Sequence, residues 1–305
     1  MSRASEQSRL WLPQYWPMWI GLGLFRLAAR LLTWPEQRDI ARALGGFVFH
    51  VVRLRRHIVV TNLRLSFPEK TEKEILALAR AHYDSLGMGL FEVCTGWWAR
   101  REDLPVHRII GLEHLRAAEA RGKGVLLLTA HFTTLEICGR LLIDAHGMGG
   151  LYRDPNNPVL AHIMRGQRER QMTIAVHFDD LKGLVRALRA GHSIWYAPDQ
   201  GKRTPGSEIL PFFGVPAITN TATSKIAKMT GAAVVPFFGR REPDGSYTLT
   251  IHPALENFPT EDTTADAIRI NRLLEENIRL AVPQYFWVHK RFKARGPEYP
   301  DVYQR

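Results

Sequence analysis

The stretch Gly124-Val-Leu-Leu-Leu-Thr-Ala-His131-Phe-Thr-Thr-Leu-Glu136 decides how this chain folds around a possible reaction site. Its apolar run, Val125 to Leu128, is typical of a buried strand. A histidine follows the end of that strand, and a carboxylate follows one helical turn later. A carboxylate that holds one imidazole nitrogen as N–H leaves the other nitrogen able to take a proton from a hydroxyl. The pattern alone is weak, because a single histidine after a strand is more often structural.

Composition places the chain among folded proteins with a sizeable core. The sequence has 305 residues, of which 45% are hydrophobic and 23% are charged, so it is long for one domain and short for two full ones. Its two cysteines, Cys94 and Cys138, lie far apart inside predicted helices, which indicates buried thiols rather than a disulfide framework. No Cys or His spacing suits a metal ion, so we expect no metal site and no bound cofactor.

The charge is strongly basic and unevenly distributed. Lys and Arg number 41 against 30 Asp and Glu, a net charge of +11, and residues 1–66 hold ten arginines but no lysine. Such a balance predicts an anionic partner, which is a nucleic acid, an anionic membrane or an acidic protein. No nucleic-acid-binding motif is present, so we expect no nucleic-acid partner.

The first 35 residues favour a membrane surface. Four of the eight tryptophans lie within residues 11–34, and such clustering is typical of a bilayer interface. The apolar stretch Trp11 to Phe25 is short for a spanning helix, and Arg26 and Arg30 share one helix face beside it. We therefore predict an N-terminal helical membrane anchor over residues 1–35. It either spans the bilayer as a transmembrane helix or lies in its plane, and the alternative is a first helix that packs on the protein core.

Beyond the anchor, the pattern predicts a helical region over 36–104 that packs on an α/β core over 105–305. Thr71 to Glu74 is a capping box that starts a long helix, in which Gly87 and Gly89 are expected to cause a bend. Short strands then alternate with helices, which favours a largely parallel central sheet flanked by helices. The predicted strands lie near 124–130, 148–152, 193–197, 233–238 and 247–251.

Sites in such sheets lie where the strands end. His131 occupies one such position and Asp199 another, although an Asp after Pro198 is as readily a turn residue. The chain lacks the short motifs of serine hydrolases, P-loop NTPases, dinucleotide-binding enzymes and zinc proteases. Their absence lowers the odds of those four classes.

Eight collinear blocks resemble those of the bacterial lipid A secondary acyltransferases of the lauroyl-transferase type. They cover nearly the whole chain, and together they are specific where one alone would be weak. The blocks lie at 15–23, 85–92, 131–136, 152–153, 180–183, 195–199, 229–236 and 287–295.

The resemblance implies a reaction and roles for particular residues. An acyl chain passes from an acyl carrier protein thioester to the hydroxyl of a 3-hydroxyacyl chain on a lipid A precursor, without an acyl-enzyme and without a cofactor. His131 would be the general base and Glu136 its orienting partner. Arg168, with Arg170 as its rival, would stabilise the oxyanion or orient substrate, and Asp199 would orient Arg168 or a substrate group. Residues assigned to substrate binding are Glu92, Arg153, Arg170, Lys290 and Arg291.

The resemblance also implies partners and a location. The partners are acyl carrier protein, the lipid A precursor and an anionic membrane, and the location is the cytoplasmic face of a bacterial inner membrane. Two alternatives stay open: an acyltransferase acting on a glycerophospholipid, and a non-catalytic peripheral membrane protein. The sequence leaves open the acyl chain length, the primary chain modified, the use of CoA thioesters and the oligomeric state.

Overall fold

A seven-stranded sheet forms the centre of the computed structural model, which describes residues 10–201, 203–204, 206–293, 295–296 and 298–304. The strand order is β1-β9-β8-β2-β5-β3-β4, and every neighbouring pair is parallel except the antiparallel pair β8–β9. The strands are β1 His107–Ile110, β2 Val125–Leu128, β3 Gly149–Tyr152, β4 Ala175–His177, β5 Ser193–Tyr196, β8 Ala233–Arg241 and β9 Tyr247–Ile251, with a separate hairpin of β6 Ser207–Phe212 and β7 Val215–Asn220. The predicted α/β class and largely parallel sheet are confirmed.

All five predicted strands are present, but four others escaped the sequence pattern. β1 and β4 are only four and three residues long, so they give almost no periodicity. The hairpin carries Pro211 and Pro216, which a sequence pattern treats as strand breakers. Both prolines face each other across a two-stranded sheet, where a missing ladder donor is tolerated.

Helices cover both faces of the sheet. They are α1 Trp16–Leu31, α2 Trp34–Phe47, α3 Arg56–Ser66, α4 Glu72–Trp98, α5 Leu112–Glu119, α6 Leu135–Ala145, α7 Pro158–Gln171, α8 Leu181–Arg189, α9 Ala222–Thr230 and α10 Thr263–Leu280. Strand β2 divides its side chains between two apolar cores: Leu126 and Leu128 join one, Val125 and Leu127 the other. This alternation explains why its sequence is apolar throughout.

The N-terminal helices expose much of their apolar surface. Phe25, Ala28 and Ala29 of α1 pack against Met88 and Phe91 of α4, while a different face of α1 remains open to solvent. In the described part of the chain, none of the helices combines the length and the apolarity needed to cross a bilayer. The prediction of a transmembrane helix in residues 1–35 is therefore not supported, and residues 1–9 of that segment lie outside the described residues.

Helix α4 is the long element on which the N-terminal helices and the candidate site both rest. Thr71 and Glu74 form the predicted capping box. The helix is continuous from Glu72 to Trp98, so Gly87 and Gly89 do not interrupt it. Instead, a Cβ at Gly87 would lie 2.5 Å from the carbonyl oxygen of Ala41. The glycine is required for the close crossing of α2 and α4.

Candidate active site

His131 lies where strand β2 leaves the sheet, and its imidazole is bound by Asp199. Asp199 follows β5, the parallel neighbour of β2, so the ends of two adjacent strands meet here. The Nδ1 atom of His131 is 2.6 Å from Oδ1 of Asp199, and the backbone N–H of His131 donates to Oδ2 at 3.0 Å. Two contacts to one carboxylate fix both the imidazole and the main chain that carries it.

Asp199 is buried and keeps its negative charge. Burial alone would raise the pKa of its carboxyl group, but the charge and hydrogen bonds of His131 and the charge of Arg291 outweigh burial and hold that pKa below its usual value. An ionised carboxylate at Nδ1 accepts the Nδ1–H bond, so Nε2 of His131 carries the lone pair. The imidazole is 29% exposed, which leaves Nε2 room to reach a substrate hydroxyl. This is the arrangement of a general base.

Glu136 does not orient His131, and that prediction is corrected. Its carboxylate forms an ion pair with Arg168 and accepts a 2.6 Å hydrogen bond from Nε1 of Trp97. Among the described residues, no hydrogen bond joins Glu136 to His131. The reason is geometric: Glu136 lies in the first turn of α6 and is bonded to α4 and α7, whereas His131 is bonded to the end of β5.

Arg168 is buried on α7, with its guanidinium held by Glu136. The suggestion that Asp199 orients Arg168 is therefore also corrected, because Asp199 binds His131. Arg170 is exposed on the same helix, and its Nε donates to Gly166 one turn back. The predicted site residues thus separate into two pairs, His131–Asp199 and Arg168–Glu136.

A cavity of about 240 Å³ adjoins His131. Strand ends form much of its wall, including Tyr152 and Arg153 at the end of β3 and residues 195–198, 200 and 201 at the end of β5. His289 and Lys293 close another side. The structure therefore brings the predicted Arg153 together with His131, whereas Glu136 and Arg168 are not among the described residues that line this cavity.

Residues 3–294 match the family described as bacterial lipid A biosynthesis acyltransferase. The chain belongs to this family. It is 36% identical to the lipid A biosynthesis lauroyltransferase of Escherichia coli (strain K12), over 95% of this chain and 96% of that protein. It is 32% identical to the palmitoleoyltransferase of the same strain, over 93% of each chain. It is 26% identical to the myristoyltransferase, over 96% of this chain and 92% of that protein. The protein is therefore an acyltransferase, and the alternative of a non-catalytic peripheral membrane protein is excluded.

Glu92 of this acyltransferase is part of a buried network rather than an exposed substrate contact. One of its carboxylate oxygens binds the guanidinium of Arg241 and accepts from the Tyr247 hydroxyl at 2.7 Å. Arg241 also donates to Ser85, whose hydroxyl lies 2.7 Å from that of Thr133, two residues from His131. The network connects α4 and β8 to the loop that carries His131.

Arg291 is buried as well, and its assignment to substrate binding is corrected. Its guanidinium is 2% exposed, donates to the carbonyl of Ile218 at 2.7 Å, and stacks over the ring of Phe212. Its neighbour Lys290 is partly exposed, with its ammonium 5.4 Å from the centre of the Tyr303 ring. Only Lys290 of this pair can meet an external anion.

Two features of the site were missed at the level of sequence. Arg241 gave no signal, because nothing in its strand distinguishes a buried ion-pair partner from an exposed cation. The loop 285–293 did give a sequence signal, since Trp287–Arg295 is among the blocks that resemble the family. The N–H of Phe286 donates to the carbonyl of His131 at 2.9 Å, so this loop is a direct neighbour of His131.

Proposed function

We propose that this enzyme transfers a fatty acyl chain from acyl carrier protein to the hydroxyl of a 3-hydroxyacyl chain on the lipid A precursor. The single observation that carries the proposal is the His131–Asp199 pair at the wall of a cavity. Nε2 of His131 takes the proton of the acceptor hydroxyl while its oxygen attacks the thioester carbonyl. The carbon–sulfur bond then breaks, and the imidazolium of His131 gives its proton to the departing thiolate. Such general-base help contributes about 10²–10⁴ in rate.

Direct transfer, without an acyl-enzyme, is supported by what surrounds His131. No Cys or Ser is among the described residues that line the cavity, the hydroxyl of the lining Thr204 is hydrogen-bonded to Ser207 and Asn220, and both cysteines of the chain are buried elsewhere. A covalent route requires a nucleophile within reach of the base. The acceptor hydroxyl is therefore the nucleophile in our proposal, and both substrates are bound together.

The donor and acceptor assignments rest on the net charge of the chain and on its similarity to known lipid A acyltransferases. The net charge of +11 suits an acidic carrier protein and a phosphorylated glycolipid, and Arg153 and Lys293 place two cations at the cavity. The relatives are named for lauroyl, palmitoleoyl and myristoyl transfer, so kinship favours lipid A chemistry over a glycerophospholipid acceptor without fixing the chain length.

We also propose that the enzyme lies on the cytoplasmic face of the bacterial inner membrane, attached in the plane of the interface. Five large apolar side chains recur at helical spacing along one exposed face of α1: Trp16, Ile20, Leu24, Leu27 and Leu31. Ile40, Leu44 and Phe47 expose a similar stripe on α2. Arg26 and Arg30 flank the α1 stripe, as expected for a helix against anionic lipid.

Product mass spectrometry tests the reaction. Detergent-purified enzyme is incubated with acyl carrier protein thioesters of several chain lengths and either the tetraacyl lipid A precursor or a lysophospholipid. We expect one added acyl chain on the lipid A precursor. Product only on the lysophospholipid would instead support the glycerophospholipid alternative.

Variants then test the base. Both His131→Ala and Asp199→Asn should lower kcat by about 10²–10⁴-fold, because one removes the base and the other removes the charge that holds its tautomer. His252→Ala is the matched control, since this partly buried histidine packs on Phe238 away from the cavity. Wild-type turnover in Asp199→Asn would contradict the assigned pair.

A further inference from the structure

The proposed reaction creates one charge that the His131–Asp199 pair does not stabilise. Attack on the thioester places negative charge on its carbonyl oxygen, and enzymes of this kind stabilise that oxygen with preorganised N–H donors. Arg168 is the sequence-based candidate, but it is buried in its ion pair with Glu136 and is not among the described cavity-lining residues. A donor is needed from the cavity wall itself.

His289 lies on a loop that is fixed relative to His131. The N–H of Phe286 donates to the carbonyl oxygen of His131. The side-chain amide of Asn62 then donates to the carbonyls of Trp287 at 2.7 Å and His289 at 2.8 Å. The main chain at position 289 is thereby held from both sides, which is the preorganisation that an oxyanion donor requires.

Within the part of the chain that the structure describes, the ring of His289 has no hydrogen-bond partner. It lines the same cavity as His131, and its Nε2 atom is shielded from solvent. Neither ring nitrogen has a partner among the residues that the structure describes. Buried polar groups are nearly always hydrogen-bonded, and the exceptions call for an explanation. Nδ1 of His289 is not among the buried atoms that lack a partner, so it is the ring nitrogen whose N–H a ligand in the cavity would accept.

The imidazole of His289 is neutral at physiological pH. Burial, reinforced by the nearby charge of Lys293, lowers its pKa from 6.5 to about 4. A neutral imidazole retains one N–H to donate and does not compete with the imidazolium of His131 for negative charge. Neutral histidines serve as carbonyl-polarising donors in other enzymes.

We propose that His289 donates its N–H to the carbonyl oxygen of the acyl thioester as that oxygen becomes an oxyanion. This inference rests on the acyl transfer proposed above. The acceptor oxygen forms the new C–O bond, the carbonyl π electrons move to oxygen, and the N–H of His289 holds them there. When the C=O bond re-forms, the C–S bond breaks and His131 protonates the departing sulfur. His289 keeps its proton throughout, so it is a donor and not an acid.

Kinetics of full-length variants test this role. We expect His289→Ala to lower kcat by about 10²–10³-fold while the KM for the thioester changes by less than about threefold. His289→Gln, which retains an N–H donor, should recover part of the loss. His252→Gln is the matched control, because His252 also has a buried Nε2 without a partner but does not line the described cavity. A kcat for His289→Ala equal to that of the control would overturn the proposal.

An infrared measurement separates this inference from the proposed function. Lauroyl thioester of acyl carrier protein, labelled with ¹³C at the carbonyl, is bound to His131→Ala enzyme without acceptor. A donor at the carbonyl oxygen lowers the C=O stretching frequency, and this shift should disappear in the His131→Ala/His289→Phe double variant. A shift that persists in the double variant would overturn the role of His289 but leave the proposed acyl transfer in place. Failure of the enzyme to bind the thioester would overturn the proposed donor as well.

Discussion

At the scale of single residues, Glu136 has a structural task that can be measured. Its carboxylate and the Arg168 guanidinium are 14% and 10% exposed, so removing one leaves the other buried without its partner. We expect Glu136→Ala to lower the free energy of unfolding by about 3–5 kcal/mol. Urea denaturation followed by circular dichroism measures this value.

The exposed pair Arg64–Glu72 provides the control for Glu136. Both of its side chains are 54% exposed, and Glu72→Ala should cost less than about 1 kcal/mol. Equal losses in Glu136→Ala and Glu72→Ala would show that the buried pair adds no more stability than the exposed pair. A loss of turnover in Glu136→Ala at full stability would return this residue to the chemistry.

His82 predicts a pH dependence of stability. Burial lowers its pKa from 6.5 to about 4, and its Nδ1 lies 2.9 Å from the carbonyl oxygen of Pro283. Between pH 6.5 and about 4, His82 is protonated in the unfolded chain but stays neutral in the folded protein. The free energy of unfolding should therefore fall as the pH drops from 6.5 to about 4. The slope contributed by His82 reaches about 1.4 kcal/mol per pH unit.

The variant His82→Asn isolates this contribution, because its amide can still donate to Pro283 but does not titrate. Denaturation midpoints at a series of pH values should show a shallower decline for the variant than for the wild type. Parallel declines in the two proteins would assign the acid sensitivity to other groups, of which His289 is the first candidate.

At the scale of elements, the crossing of α2 and α4 depends on two glycines. A Cβ at Gly45 would lie 2.6 Å from the carbonyl oxygen of Tyr83, and one at Gly87 would lie 2.5 Å from that of Ala41. Backbone atoms cannot yield as a side chain can, so the helices must move apart. We expect Gly45→Ala and Gly87→Ala each to destabilise the protein by about 1–3 kcal/mol.

Helix α1 supplies the control for this crossing. No heavy atom lies within 4 Å of a Cβ built at Gly21 or Gly23. Gly23→Ala should therefore leave stability unchanged or raise it by up to about 1 kcal/mol, because alanine favours a helix interior. A destabilised Gly23→Ala with an unaffected Gly87→Ala would contradict the described crossing.

The elements of the core were more predictable than the contacts among their side chains. Apolar runs such as Val125–Leu128 have a period and a length, so their strands and the adjoining helices could be placed from the sequence. The partner of His131 could not, because the spacing to Glu136 suggests a local pair whereas the contact to Asp199 spans 68 residues. That contact depends on which strands are neighbours, and the order β2–β5 is not encoded in any short stretch.

At the scale of the whole molecule, charge and apolar surface lie together on the N-terminal helices. Lys and Arg outnumber Asp and Glu over the whole chain. Residues 1–66 contain arginines but no lysine. Arginine stems can lie along apolar surface while their guanidinium groups reach phosphate. The guanidinium of Arg26 already stacks over Trp98 at 5.1 Å, beside the end of α4. Attraction by anionic lipid and burial of apolar side chains should therefore act on the same helices.

The membrane proposal predicts that Leu24→Glu/Leu27→Glu releases the enzyme from vesicles. These leucines are 62% and 53% exposed, so the exchange should disturb the protein core little. Each leucine that no longer enters the lipid forfeits about 1.5–3 kcal/mol, and about 1.4 kcal/mol corresponds to a tenfold change in affinity. The double variant should bind at least about 100-fold more weakly to vesicles of phosphatidylethanolamine and phosphatidylglycerol in a flotation assay. Leu181→Glu/Leu280→Glu is the matched control, because these side chains are 53% and 67% exposed and belong to α8 and α10 rather than to α1 or α2. Raised salt should weaken binding of the wild type, since its arginine contacts are screened. If the two double variants bound equally well, the exposed face of α1 would not be the surface that meets the membrane.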